Sequence, residues 1–284
     1  MGIFNYKGEN VEVVECPRDA MQGIKQFIPT EIKIKYITKL LSEGFDVLDC
    51  GSFVSPAAVP QMADTAEVID AISKIETSTE LLVIVANERG AIRAAAFPKI
   101  KYLGYPFSIS ETFQRRNTNQ SRQDAFLQLA KVQEIALASN KQVVAYISMA
   151  FGNPYGDEHT NEMIREWAEK IAGLGIRVIS LADTTGLATP EQIEKTYTKL
   201  ISHLPHVKIG GHFHATLADS SSKIEAALRG GCRRLDGAIL GFGGCPFAKD
   251  ELVGNVPTEL LVEKLGQKIG RDLLEEAAKT YSSF

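Results

Sequence analysis

The sequence has no long apolar run, no closely spaced cysteine pair and no excess of positive charge. It also has no Gly-x-Gly-x-x-Gly element after its first strand-like segment. Each absence removes a class of protein. Without a stretch of about 18 uninterrupted apolar residues, nothing is expected to span a bilayer. The four cysteines, Cys16, Cys50, Cys232 and Cys245, form no Cys-x-x-Cys pair, so neither a zinc knuckle nor a disulfide scaffold is expected. Reduced thiols in a cytoplasmic protein are the simple reading. Lysine and arginine total 31 against 35 acidic residues, a formal charge of −4, which argues against a general nucleic-acid binder. The first fifteen residues are acidic early and lack both the apolar core of a secretory signal and the Arg/Ser-rich look of a transit peptide. A Met-Gly start with Tyr6 in the sixth position does not suit myristoylation. No linker or low-complexity tract interrupts the chain, so residues 1–284 read as one domain.

What is present is ordinary globular composition, 44% hydrophobic and 23% charged, arranged as an alternation. Short β-branched runs fall at 11–15, 46–49, 81–85, 100–105, 142–147, 177–181, 207–213 and 234–238. Amphipathic stretches lie between them, at 31–43, 121–139, 161–174, 190–203 and 217–229 among others. Thr30 after Pro29, and Thr189 before Pro190, read as helix starts. Gly44, Gly173, Gly175 and Gly230 fall where helices should stop. Eight strands alternating with helices predict a closed parallel (β/α)8 barrel, with the C-terminal segment 275–284 as a peripheral helix and frayed tail. An open doubly wound sheet is the competing architecture, and the missing glycine fingerprint removes its commonest dinucleotide version.

In a barrel, function gathers at the C-terminal ends of strands. The first strand ends in Cys16-Pro17-Arg18-Asp19-Ala20-Met21-Gln22, where an Arg-Asp pair could also be a plain salt-bridged loop. The seventh carries His212-Phe213-His214, and alternate residues of a strand share a face, so both imidazoles should point into the barrel mouth. An isolated His-x-His is often incidental. Joined by Asp19 and by Asn255 after the eighth strand, it becomes an oxygen/nitrogen donor set that suits Mg, Mn, Zn or Co, with positions left for substrate and water. The spacing does not choose among these metals. The segment Gly241-Phe242-Gly243-Gly244-Cys245-Pro246-Phe247 is either a tight surface loop or a movable mount for a cysteine whose thiol a nearby cation could tune.

Taken together, these stretches resemble the hydroxymethylglutaryl-CoA lyase family, within the wider class of metal-dependent barrel lyases. The resemblance covers nearly the whole chain. It rests on residues 17–22, on Ser52-Phe53-Val54-Ser55-Pro56 with Val59-Pro60-Gln61-Met62, on Ser110-Glu111-Thr112-Phe113 with Arg115-Arg116-Asn117, on His212-Phe213-His214, on the run 241–248, and on Gly254-Asn255. The resemblance implies that Asp19, His212, His214 and Asn255 ligate a divalent cation, Mg or Mn before Zn or Co. It implies that Arg18 holds the thioester oxygen and the enolate, and that Cys245 exchanges protons from a mobile loop. Gln22 and Asp183 would lie near the substrate, and Glu259 would support the metal site from behind. Arg18, Asp19, His212 and Cys245 form the implied catalytic set. Arg115, Arg116 and Lys249 would either meet the CoA phosphates or simply be solvated cations. A homodimer, no nucleic-acid partner and no membrane partner complete what is implied.

The expected reaction is cleavage of 3-hydroxy-3-methylglutaryl-CoA to acetyl-CoA and acetoacetate, the chemistry of ketone-body formation and leucine catabolism. The residue types suit it on their own account. A cation lowers the pKa of a bound hydroxyl, a fixed guanidinium stabilises the developing thioester enolate, and a thiol or held water protonates carbon. Four positions depart from the family pattern: Ala20 replaces Gly, Asp49-Cys50-Gly51 replaces a Glu-containing segment, Asn153 stands where Cys is common, and Ala215 replaces an Asp. Ala20 takes positive φ less readily than Gly, which predicts a different loop geometry there. These departures keep a second reading open, the same chemistry on another 3-hydroxyacyl-CoA or a 2-oxo acid. A third reading is a non-catalytic barrel that retains the metal fold; the completeness of the polar set stands against it.

Overall fold

The computed structural model describes residues 4–244 and 253–282. Eight parallel strands close on themselves: β1 (Glu12–Glu15), β2 (Val47–Ser52), β3 (Glu80–Ile84), β4 (Ile100–Ser108), β5 (Gln142–Ser148), β6 (Val178–Asp183), β7 (Lys208–Ala215) and β8 (Arg234–Gly237). Closure is explicit, because β8 pairs with β7 through Leu235 and Gly211 and with β1 through Leu235 and Val13. A small antiparallel hairpin, Asn5–Tyr6 against Glu9–Asn10, precedes β1. After β8 a short strand, β9 (Gly254–Asn255), runs antiparallel to β7 and sets Asn255 opposite His214.

The helices are α1 (Pro17–Gln22), α2 (Thr30–Leu41), α3 (Thr65–Ile72), α4 (Glu88–Ala95), α5 (Glu111–Thr118), α6 (Arg122–Ala138), α7 (Asn161–Gly173), α8 (Pro190–His203), α9 (Leu217–Arg229), α10 (Thr258–Lys264) and α11 (Arg271–Ser282). All eight expected strands are present with ends shifted by a few residues, and the expected helices fall on α2 and α6 to α9. Thr189 caps α8 in a reciprocal capping box with Gln192. Thr30 does not cap α2; it is the first helical residue, and its hydroxyl donates to Asp64 at 2.9 Å.

Two further expectations are corrected. Residues 17–22 form a helix with Pro17 at its start, so Ala20 sits in a conformation that suits Ala better than Gly and needs no positive φ. The C-terminal segment is not a frayed tail over its described length: Thr280 and Tyr281 of α11 are buried. Among the described residues no helix is long and apolar enough to cross a membrane.

Strand alternation divides the core in two. Outward residues such as Val13, Leu48 and Leu103 pack against the helices, in a cluster that runs from Phe4 to Tyr281. Inward residues Val14, Val47, Leu82, Val144 and Val178 fill the barrel with Tyr102 and Tyr146. Each such aliphatic side chain contributes about 1.5–3 kcal/mol when fully buried. This inner layer is the floor on which the polar residues of the C-terminal mouth stand.

Candidate active site

At the C-terminal ends of the strands lies a cavity of about 260 Å³ whose polar wall is Arg18, Asp19, Gln22, His212 and His214. Arg18 and Asp19 reach it from α1, the turn of helix that Pro17 starts directly after β1. Both imidazoles come from β7, on the shared face that the two-residue spacing predicts.

Arg18 is buried and heavily bonded. Its Nε and Nη2 donate to Asp49 Oδ2 at 3.1 and 2.6 Å. Its Nη1 donates to Asp19 Oδ1 at 2.8 Å and to Gln22 Oε1 at 2.9 Å. Burial opposes the guanidinium charge, but Asp49 and Asp19 more than offset it and hold the group above its ordinary value. The shorter Asp49 side chain therefore reaches the arginine. Burial pushes the Asp49 carboxyl up, against the pull of Arg18.

Asp19 is buried too, which alone would raise its pKa. Arg18, the two imidazoles and a hydrogen bond from Asn255 outweigh burial and bring it down to about 2. Asn255 Nδ2 donates to Asp19 Oδ2 at 2.7 Å and to the Phe242 carbonyl at 2.9 Å. With both amide protons committed, Oδ1 is the atom through which Asn255 could serve a cation.

The imidazoles differ in their supports. His212 Nδ1 faces Asp236 Oδ2 at 3.2 Å, and its Nε2 stands 4.0 Å from Asp19 Oδ2. Burial lowers the His212 pKa, but the hydrogen bond and charge of Asp236 prevail and raise it. His214 Nδ1 lies 2.9 Å from the Thr184 carbonyl, an acceptor only, which places the proton on that nitrogen. Burial, reinforced by His212, lowers the His214 pKa. Its Nε2 is then a bare lone pair, buried and without a hydrogen-bond partner among the described residues.

An orphaned buried acceptor is costly, and a cation would remove the cost. Ligand atoms of Asp19, His212 and His214 all lie within 4.8 Å of one another. The donor set thus fits a divalent ion on geometry and chemistry. A second grouping, Cys16 with His212 and Asp236, is less suitable. Burial pushes the Cys16 thiol well up, aided by Asp236, which disfavours the thiolate that a cation needs as a ligand.

Several expected residues are placed elsewhere. Asp183 is buried at the end of β6, but its carboxylate accepts from Lys223 Nζ at 2.7 Å and from the Ala188 amide. Alternation turns its neighbours Ala182 and Thr184 into the cavity and Asp183 away from it. Glu259 does not back a metal ligand; its carboxylate accepts from the Leu240 amide at 3.0 Å, at the root of the glycine-rich segment. Ser110 is the N-cap of α5, accepting from the Phe113 amide at 3.1 Å, so the Ser-Glu-x-Phe run starts a helix. Arg115 is exposed and paired with Glu111, and Arg116 lies over the Tyr155 ring. Asn153 closes a turn by bonding to Tyr155 and Asp157. Cys245 and Lys249 lie outside the described residues.

Some supports carry no motif. Asp236, from β8, sets a carboxylate behind His212 Nδ1, and Arg234 Nη1 holds its other oxygen at 2.8 Å. Lys223 on α9 donates to Asp183, to the Gly186 carbonyl and to the His214 carbonyl, fixing the backbone beside the second imidazole. Glu15, fully buried, accepts from the Ile239 amide and from the Thr258 hydroxyl. Glu15 is the last residue of β1, on the outward face it shares with Val13, and a lone acid at a strand end carries no separate sequence signal. An outsized charge on a barrel strand, as at Arg234-x-Asp236, is the one hint that was available.

A parallel barrel that gathers a carboxylate, two imidazoles and a guanidinium at its C-terminal mouth is an enzyme barrel with a candidate metal site, and the relatives that it matches are lyases. The chain belongs to the HMGL-like family, which it matches over residues 11–277. It is 35% identical to a mitochondrial hydroxymethylglutaryl-CoA lyase of Mus musculus over 90% of this chain and 78% of that protein. It is 34% identical to a cytoplasmic 3-hydroxy-3-methylglutaryl-CoA lyase of Homo sapiens, over 90% of this chain and 69% of that one. Among solved structures it is similar to an HMG-CoA lyase from Acinetobacter baumannii in complex with coenzyme A and 3-methylmalate. That match has a TM-score of 0.88 at 31% identity and covers 98% of this chain and 92% of the other.

Proposed function

We propose that this protein is a divalent-cation-dependent carbon–carbon lyase that cleaves 3-hydroxy-3-methylglutaryl-CoA to acetyl-CoA and acetoacetate. The observation that carries this reading is the bare Nε2 of His214 beside Asp19 and His212, in one cavity with Arg18. Asp19, His212, His214 and Asn255 would hold the cation, Mg or Mn in our reading. When bound, it supplies a Lewis acid that lowers the pKa of the substrate hydroxyl.

The chain's own groups do the rest. The substrate hydroxyl gives its proton to water in the open cavity as the C2–C3 bond breaks; the electron pair of that bond passes to the thioester enolate, and the former carbinol becomes a ketone. Arg18 meets the negative thioester oxygen, through the Nη2 proton that Asp49 does not take or by displacing Gln22 from Nη1. Gln22, bonded to both Arg18 and Asp19, is the polar group placed to exchange for substrate. Cys245 remains in the reading as the acid that returns a proton to the enolate carbon. Elsewhere the cavity wall has apolar residues, Val54, Val59, Ile84 and Phe113, with Ser52, Asn117, Thr118 and Ser148 among them, a mixed lining that suits an acyl chain carrying polar groups.

The apolar residues of that wall favour a second reading, cleavage of a related 3-hydroxyacyl-CoA with a larger apolar group on the carbinol carbon. The proposal also includes a single catalytic unit over 1–284, supported by the core running from Phe4 to Tyr281. A homodimer is part of it, on the family resemblance alone. A cytoplasmic setting is supported by the free thiols of Cys16, Cys50 and Cys232.

The test is acetoacetate release from 3-hydroxy-3-methylglutaryl-CoA with Mg or Mn, with Asp19→Asn as control. Metal-dependent release that the control loses supports the reading. Metal bound without release, but with cleavage of a longer 3-hydroxyacyl-CoA, would replace it with the second.

A further inference from the structure

A line of contacts runs from the C-terminal helix to the carboxylate of the candidate metal site. Tyr36 on α2 and Tyr281 on α11 are buried with their hydroxyls 3.0 Å apart and their rings edge-on. The Tyr281 ring then lies against that of Phe242, with centroids 4.9 Å apart. The Phe242 carbonyl accepts from Asn255 Nδ2, and the same nitrogen donates to Asp19 Oδ2.

Phe242 is the one residue in the run 241–244 that is not glycine. Its neighbours Gly241 and Gly243 have φ of +66° and +96°, and such residues impose little restraint of their own. Hydrogen bonds from the Leu240 and Gly241 amides, to Glu259 and to the Ala238 carbonyl, hold the start of this segment, and beyond them the ring is the side chain that anchors it. We propose that Tyr281 is a positioning residue for the active site. By seating the Phe242 ring it fixes the Phe242 carbonyl, which sets the Asn255 amide with its nitrogen toward Asp19 and Oδ1 left for a cation. The part concerning a cation rests on the metal-dependent reading above; the seating of Phe242 does not.

The experiment compares Tyr281→Leu, Tyr281→Phe and Phe242→Leu in the full chain, reading amide hydrogen exchange over residues 240–244 and 253–257, and Mn(II) affinity. The leucine variants should speed exchange in that segment roughly tenfold while exchange in the barrel strands stays as in the parent. They should also weaken Mn(II) binding by roughly tenfold. Tyr281→Phe, which keeps the ring, should restore both to near the parent values. A purely structural role would lower thermal stability and leave local exchange and Mn(II) affinity alone, and that result overturns the proposal. Should Tyr281→Leu not fold, Phe242→Leu breaks the same contact from the other side, and parent-like exchange there is equally decisive against it. A parent protein that binds no Mn(II) would remove the metal reading, while the exchange data would still decide the seating.

Discussion

Oδ2 of Asp49 accepts from both Nε and Nη2 of Arg18, at 3.1 and 2.6 Å, and so fixes the plane in which the guanidinium faces the cavity. Arg18 has little freedom left, because its remaining bonds go to Asp19 and Gln22. A donor held this way needs no reorganisation when charge develops on a nearby oxygen, and that is where electrostatic catalysis has its largest effect.

Arg18→Ala should therefore lower kcat by roughly 100- to 1,000-fold, with a smaller change in KM. Asp49→Asn keeps the shape but loses the charge-assisted pairing, and should reproduce part of that loss. Steady-state kinetics on both variants checks this; an Arg18→Ala enzyme with normal turnover excludes the role.

Asp236→Asn should weaken metal binding by roughly 10- to 100-fold, because it removes the carboxylate behind His212 Nδ1. Isothermal titration with Mn(II) reads this without any turnover. Equal affinities would show that the Asp236 contact does not orient the imidazole.

Gly243→Ala should damage the site more than its one added methyl suggests. A Cβ there would stand 2.6 Å from Asn255 Nδ2 and 2.8 Å from the Asp19 carbonyl, at a φ of +96° that side chains avoid. We expect Mn(II) affinity and kcat to fall together, with thermal stability changed by about 1–3 kcal/mol. Parent-like metal binding would mean that the glycine segment does not press on these ligands.

Glu15 makes stability depend on pH. Burial raises its pKa to about 8, against the hydrogen bonds from Thr258 and Ile239 that lower it. The unfolded chain gives up this proton near 4.5 while the folded chain keeps it, so this contribution is complete below about 4.5 and is lost as pH rises to about 8. Glu15→Gln, which cannot ionise, should flatten that slope. Denaturant unfolding at three pH values across the window measures it, and identical slopes in parent and variant would contradict the assignment.

Lys223→Met should be strongly destabilising, since it strands the buried Asp183 carboxylate. The cost expected for breaking such a pair is about 3–5 kcal/mol. Asp183→Asn in the same background should recover part of it, and a cycle of the two changes measures the coupling.

Much of the barrel was legible because it depends on local pattern. β-branched runs separated by amphipathic stretches define eight strands without reference to any distant residue, and Pro190 marks a helix start through its own fixed φ. His212 and His214 were legible as a pair because a period of two is a property of the strand itself. Asp183 shows the limit. The period says that alternate residues share a face but not which face, and on β6 the cavity took Ala182 and Thr184. The reach of Asp49 was not legible either, because it depends on how close β2 brings its backbone to α1.

By itself, the sequence determined the order of strands and helices, the class of the barrel, and the residue types available at its mouth, since short-range sterics and hydrophobic periodicity suffice for each. Tertiary structure alone decided which of those residues work together. Asp236 meets His212 because β8 pairs with β7, and Lys223 meets Asp183 because α9 packs against β7, the neighbour of β6. Glu15 meets Thr258 because the ring brings β1 back to the chain that follows β8, and Tyr281 meets Phe242 because α11 packs against the segment after β8. Such partners lie far apart in the chain, and no local rule brings them within hydrogen-bonding distance; burial of the apolar faces does.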